Sequence, residues 1–98
     1  MPHEIVWTRQ AREDLREIRA FIARDAPATA SIFVRRLRYS VERLRMFPLS
    51  GHVVPELGRE DIRELLKGNY RVIYRAAEHR VEILTVYHSA RLLDESDI

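Results

Sequence analysis

A two-layer α+β domain with the order β-α-α-β-β-β is the fold that this sequence predicts, and three observations predict it. Two stretches in which apolar residues recur every three or four positions lie on either side of Pro27. Beyond Asp61 the apolar period shortens to two, the period of a strand. Turn-forming residues then divide that region into three short runs. Each helix has one apolar face and needs a cover, which a sheet with one apolar face supplies.

Glu4-Ile5-Val6-Trp7 reads as the first strand, with β-branched and aromatic members. Thr8 is placed to cap a helix, its hydroxyl accepting from a backbone N–H that would otherwise lack a partner. Ala11, Leu15, Ile18 and Ile22 form one apolar face of that helix, which runs to about Arg24. Arg12, Glu13, Arg16, Glu17 and Arg19 lie on the other face and offer opposite charges four residues apart. Pro27 suits the first turn of a second helix. Ala30, Phe33, Val34, Leu37, Val41 and Leu44 make its stripe, and Pro48 is expected to end it. So short a link between amphipathic helices predicts an antiparallel helical hairpin.

Residues 48–61 hold two prolines and two glycines, so they read as a turn-rich connection with a brief extended piece at Val53-Val54. A strand follows at Ile62–Leu66, then a Gly68-Asn69 turn. The last third is a β-hairpin, Tyr70–Ala76 and Val81–Tyr87, with Val81, Ile83 and Thr85 alternating against Glu82, Leu84 and Val86. The acidic tail, Leu92–Ile98, is expected to fray.

Ninety-eight residues predict a single domain spanning 1–98. With 46% hydrophobic and 33% charged residues, the chain has material for both a core and a solvated surface, unlike a disordered segment. No apolar run approaches the roughly 18 residues of a membrane span, and Met1-Pro2-His3-Glu4 lacks the pattern of a signal peptide. A cytoplasmic protein with no membrane association is expected. Zero cysteines exclude disulfides, thiolate metal sites and cysteine nucleophiles. Seventeen Lys+Arg against fifteen Asp+Glu leave a net charge of +2, small for a protein that lives on phosphate contacts.

His3, His52, His79 and His88 lack the spacing of metal-binding motifs, and no metal or cofactor is expected. Neither a glycine-rich phosphate loop nor a Gly-x-Ser-x-Gly elbow is present. What stands out is Gly68-Asn69-Tyr70-Arg71-Val72-Ile73-Tyr74-Arg75 followed by Ile83-Leu84-Thr85-Val86-Tyr87-His88-Ser89-Ala90-Arg91. Upstream lie Phe47-Pro48-x-Ser50-Gly51, Val54-Pro55-Glu56 and Arg63-Glu64-Leu65. As an ordered set these pieces resemble the RelE/ParE superfamily, the toxins of type II toxin–antitoxin systems, over nearly the whole chain. The ending Val86-x-His88-x-x-Arg91 is most similar to the ParE-like plasmid-stabilisation toxins.

Two functions on one fold are implied by this resemblance. ParE-type toxins bind DNA gyrase and trap its DNA-cleaved state, and are silenced by a ParD-like antitoxin. RelE- and YoeB-type toxins cut messenger RNA on the ribosome without a metal. The resemblance to the YoeB branch would place Glu56, Arg71 and His88 as base, phosphate-stabilising cation and acid. Here ten residues follow His88, whereas that branch ends close to its histidine. Under the ParE-type reading the target contacts are expected at His88, Arg91 and Arg75. Each of these residues also has a plain structural reading: Glu56 as a turn acceptor, Arg71 in an ion pair or over an aromatic ring, and His88 as a hydrogen-bonded strand end. Arg75 and Arg91 could simply pair with acids such as Glu82 or Asp94.

Overall fold

The computed structural model describes residues 2–98. Its elements are β1 (Glu4–Trp7), α1 (Arg9–Ala23), α2 (Pro27–Glu42), β2 (His52–Val53), β3 (Ile62–Lys67), β4 (Tyr70–Ala76) and β5 (Arg80–His88). The strands form one mixed sheet in the order β1-β5-β4-β3-β2. β1 runs parallel to β5, and all other neighbours are antiparallel. The helical hairpin packs on one face of this sheet, as the apolar stripes require.

Thr8 does more than cap. Its hydroxyl oxygen accepts from Ala11 N at 3.1 Å, and the hydroxyl itself points to the carbonyls of Ile83 (2.8 Å) and Leu84 (3.0 Å). The first turn of α1 is thereby tied to β5. Ala11, Leu15 and Ile18 from α1 and Leu37 and Val41 from α2 are buried against Val72, Tyr74, Val81, Ile83 and Val86. α2 ends earlier than Pro48, at Glu42. A short 3₁₀ turn, Arg43–Arg45, follows, and the N–H groups of Met46 and Phe47 both return to Arg43 O. The helix is closed by this tightened turn, and Pro48 lies beyond it. No helix among the described residues is long and apolar enough to cross a membrane.

The hairpin departs from simple alternation at one place. Ile73 pairs with Thr85 and Tyr74 with Ile83, so Leu84 is an extra residue on β5. Such a bulge moves every later side chain to the other face. Val86 therefore joins Val81 and Ile83 beneath the helices, whereas Tyr87 joins the opposite face. Asp14 of α1 supports the bulge: one carboxylate oxygen accepts from the Thr85 hydroxyl at 2.5 Å and from Val86 N at 3.0 Å. Asp14→Ala is expected to lower unfolding stability by about 1–3 kcal/mol, because two donors lose their acceptor. Urea denaturation of the two proteins measures this.

On the face away from the helices lies a second, smaller core of Val54, Ile62, Ile73, Tyr87 and Leu93, with Leu57, Leu84 and Ile98 packed around it. The 54–61 connection and the acidic tail provide this cover. The tail, expected to fray, is folded back. Leu93 is 5% exposed, and Glu95–Asp97 form a 3₁₀ turn whose two ends cap each other through Asp94 and Asp97. An apolar residue at each end of the tail docks it, which acidity alone conceals.

Candidate functional site

The covered back face is also where the charged residues converge. Arg71, on β4, is 6% exposed. Its Nε donates to Glu64 Oε1 at 2.6 Å. Nη1 donates to Glu56 Oε2 at 2.6 Å and to the carbonyl of Arg91 at 3.1 Å. Nη2 donates to Glu56 Oε1 at 2.9 Å. Four of the five N–H donors of a guanidinium are thus committed within the chain. Glu56 Oε2 also accepts from Leu93 N at 2.7 Å. Strand geometry explains the convergence: Arg71 pairs with Leu66 and Glu64 with Ile73, which sets the two charged side chains diagonally on one face of the ladder.

The cation between the two carboxylates favours the ionised form of Glu56. The bidentate bond from Arg71, helped by Leu93 N, lowers the pKa of Glu56 from its ordinary value of 4.5 to about 2. The same bonds raise that of Arg71. A base that must take a 2′-hydroxyl proton works best with a pKa near the working pH and a lone pair free to face substrate. Glu56 has neither. A cation that must meet a phosphorane needs an open fork, and that of Arg71 is closed.

His88 stands apart from this pair. It pairs with Tyr70 across the ladder, and its ring meets the Tyr70 ring edge-on at 5.7 Å on the helix-packed face. Arg71 and Glu56 occupy the other face. Nδ1 of His88 accepts from Ala90 N at 3.1 Å, starting the turn into the tail. Of the three residues that resemblance places in catalytic roles, two are joined and the third is across the sheet.

Arg91 and His88 line one shallow groove with Asp14, Glu17, Ile18 and Tyr70. The Arg91 guanidinium sits 4.7 Å from the centroid of the Tyr87 ring and pairs with Asp97 at 3.2 Å, in place of the Asp94 partner expected. Burial raises the Tyr87 pKa to about 12, with Asp97 adding to the shift. Arg75 is elsewhere. It pairs with Glu82 at 3.3 Å near the opposite end of the hairpin, about 20 Å from His88 at ~3.4 Å per residue. The structure joins His88 to Arg91 and leaves Arg75 outside.

Glu64 and Gly51 are named in the sequence only as members of motifs, with no role assigned to either. Glu64 shares a strand face with Ile62, and a carboxylate in an apolar row signals a cation beside it. Gly51 lies where β2 begins, against the buried Tyr74 hydroxyl, which accepts from Gly51 N at 2.9 Å and donates to Pro48 O at 2.8 Å. This contact explains the Phe47-Pro48-x-Ser50-Gly51 turn, whose backbone wraps one tyrosine oxygen.

Residues 5–93 match the family model described as the ParE toxin of type II toxin–antitoxin system, parDE. The chain belongs to the ParE toxin family. Among relatives, Toxin RelE2 of Caulobacter vibrioides is 32% identical over 90 residues, covering 91% of this chain and 98% of that protein. Y4kP of Sinorhizobium fredii is 39% identical over 88 residues, covering 87% and 86%. The fold is similar to that in the chromosomal ParDE system of P. aeruginosa, with a TM-score of 0.75 at 21% identity over 88% of this chain and 95% of that one. It is also similar to a chain of the RelBE2 toxin–antitoxin complex of Mycobacterium tuberculosis, with a TM-score of 0.61 at 26% identity over 90% and 99%. Two helices against a five-stranded mixed sheet are therefore the family fold, and the chain is a type II toxin.

Proposed function

We propose that this toxin acts in the ParE manner, by binding DNA gyrase and holding it in its DNA-cleaved state, and that it performs no RNA cleavage of its own. The observation that carries this reading is the closure of the Glu56–Arg71–Glu64 network, with His88 on the opposite sheet face. An RNase needs base, cation and acid around one phosphate, whereas a binding toxin needs only a rigid surface. The segment from His88 through Arg91 is the target-facing surface in this proposal; the distance and ion pair of Arg75 take it out of that contact.

A ParD-like antitoxin is the second partner. Residues 9–45 carry ten arginines against five carboxylates. Arg12, Arg16, Arg19 and Arg38 surround a groove floored by Leu15 and Val34 between the helices. An acidic amphipathic segment, folding as it docks, complements that groove in charge and in apolar contact.

Purified toxin added to gyrase, ATP and supercoiled plasmid is expected to yield linear plasmid after protein removal, and to leave a reporter message intact on translating ribosomes. Cut message with unaffected gyrase would overturn the reading. Expression without an antitoxin is expected to arrest growth, and co-expression of an acidic ParD-like protein to restore it.

A further inference from the structure

We infer that Glu56 and Arg71 are positioning residues that fix the chain beyond β5, residues 89–98, in the form that meets the target. This rests on the gyrase reading above for what the target is, but not for how the tail is held. A buried cation between two carboxylates is a poor source of stability, because desolvation offsets much of the attraction. Apolar residues of similar size would fill the space as well. What they could not do is bind backbone. Glu56 Oε2 holds Leu93 N at 2.7 Å, and Arg71 Nη1 holds the Arg91 carbonyl at 3.1 Å. These two bonds bracket Leu92, which is left 77% exposed between two fastened neighbours.

At its start the stretch is tied by Ser89 N, which donates to Asn69 O at 2.7 Å; beyond that bond little else fixes its backbone. It has no strand partner, and its single 3₁₀ turn is local. Leu93 fills the back-face core, and Arg91 lies on the Tyr87 ring with Asp97 as its ion-pair partner. Those side-chain contacts depend on the backbone being delivered to the right place. The network thus presents Leu92 outward and keeps Arg91 beside His88.

Glu56 and Glu64 allow a clean separation. Both bind Arg71, but only Glu56 touches the tail. Glu56→Ala removes the bond to Leu93 N and the bidentate hold on Arg71, and leaves a neutral Arg71–Glu64 pair, so the sheet keeps its charge balance. Glu64→Gln keeps Glu56, Arg71 and both backbone bonds, while changing the same cation's environment. Hydrogen exchange followed by mass spectrometry on intact toxin reads the tail peptide 89–98 and the β4 peptide side by side.

In Glu56→Ala the tail amides are expected to exchange about tenfold faster or more, the consequence of losing a hydrogen bond to an ionised group. The β4 amides should keep their protection. The variant should also need at least about tenfold more protein to linearise plasmid with gyrase. In Glu64→Gln the tail should exchange at the wild-type rate. Wild-type exchange in the Glu56→Ala tail overturns the proposal, as does equal acceleration in both variants. So does a freed tail with unchanged gyrase inhibition. If wild-type toxin spares gyrase and cuts message, the gyrase reading fails by itself. The exchange contrast between the two variants, which does not depend on the target, then decides by itself whether the network positions the tail.

Discussion

Arg71→Met is expected to destabilise the fold by about 3–5 kcal/mol at pH 7, the largest effect of any single substitution on the back face. Methionine fills most of the arginine's volume, so the loss comes from charge. Glu56 and Glu64 are left side by side, largely buried and without their cation. The pH dependence should invert as well. In the wild type the depressed Glu56 pKa contributes stability above the ordinary carboxylate value of 4.5. That contribution, on the order of 2 kcal/mol, is lost as the pH falls from about 5 toward 2. In Arg71→Met the carboxyl pair is relieved by taking up a proton, so stability should rise as the pH falls from 7 to 5. Chemical denaturation at pH 7 and pH 5 provides the check. A variant as stable as wild type, or one that weakens between those two pH values, would show that the network is not held by charge.

Gly51→Ala should cost about 2–4 kcal/mol although only a methyl group is added. A Cβ on Gly51 would stand 2.5 Å from the Tyr74 hydroxyl, 2.6 Å from the Glu64 carbonyl and 2.8 Å from Tyr74 Cε1. None of these can retreat cheaply. Tyr74 is fully buried, and its hydroxyl is bonded to Pro48 O and Gly51 N. Glu64 is paired in the sheet with both His52 and Ile73. Tyr74→Phe combined with Gly51→Ala should recover part of the loss by removing the oxygen that clashes. A thermal melt of the single and double variants decides it; a Gly51→Ala melting point within 2 °C of wild type, smaller than even about 1 kcal/mol would give, contradicts this packing.

Both helices, the β3–β5 meander and its turns were legible in the sequence because each rests on a local signal. Apolar spacing marks the helices, Thr8 marks a cap, and Gly68 takes the positive φ (57°) that its turn requires. The face assignment of the last strand was not legible. Leu84, Thr85, Val86 and Tyr87 all suit a strand, and nothing in that run marks Leu84 as the extra residue. The supports of the bulge, Asp14 and the Thr8 hydroxyl, are both distant in sequence. The site shared this difficulty. Glu56, Arg71 and His88 could be named from resemblance, but their relation depends on strand parity. One bulge moves His88 across the sheet from the other two. The docked tail was hidden for a similar reason, since Leu93 and Ile98 reveal their role only where a second apolar face awaits them.

The parallel pairing of β1 with β5 bears on when this toxin can become active. Glu4–Trp7 lies against Arg80–Ile83, and Thr8 is anchored to carbonyls 75 and 76 residues further along the chain. Contacts of such long sequence separation form late, because the intervening loop must be closed first. During translation the first strand therefore has no neighbour until β5 itself has been made. The helical hairpin can form beforehand and stand exposed, with its arginine-rimmed groove on one side and an uncovered apolar stripe on the other. The nascent chain thus passes through an interval in which its helices are built but its sheet is open and its tail unanchored. The back-face network that holds the tail is therefore among the last parts of the molecule to be completed.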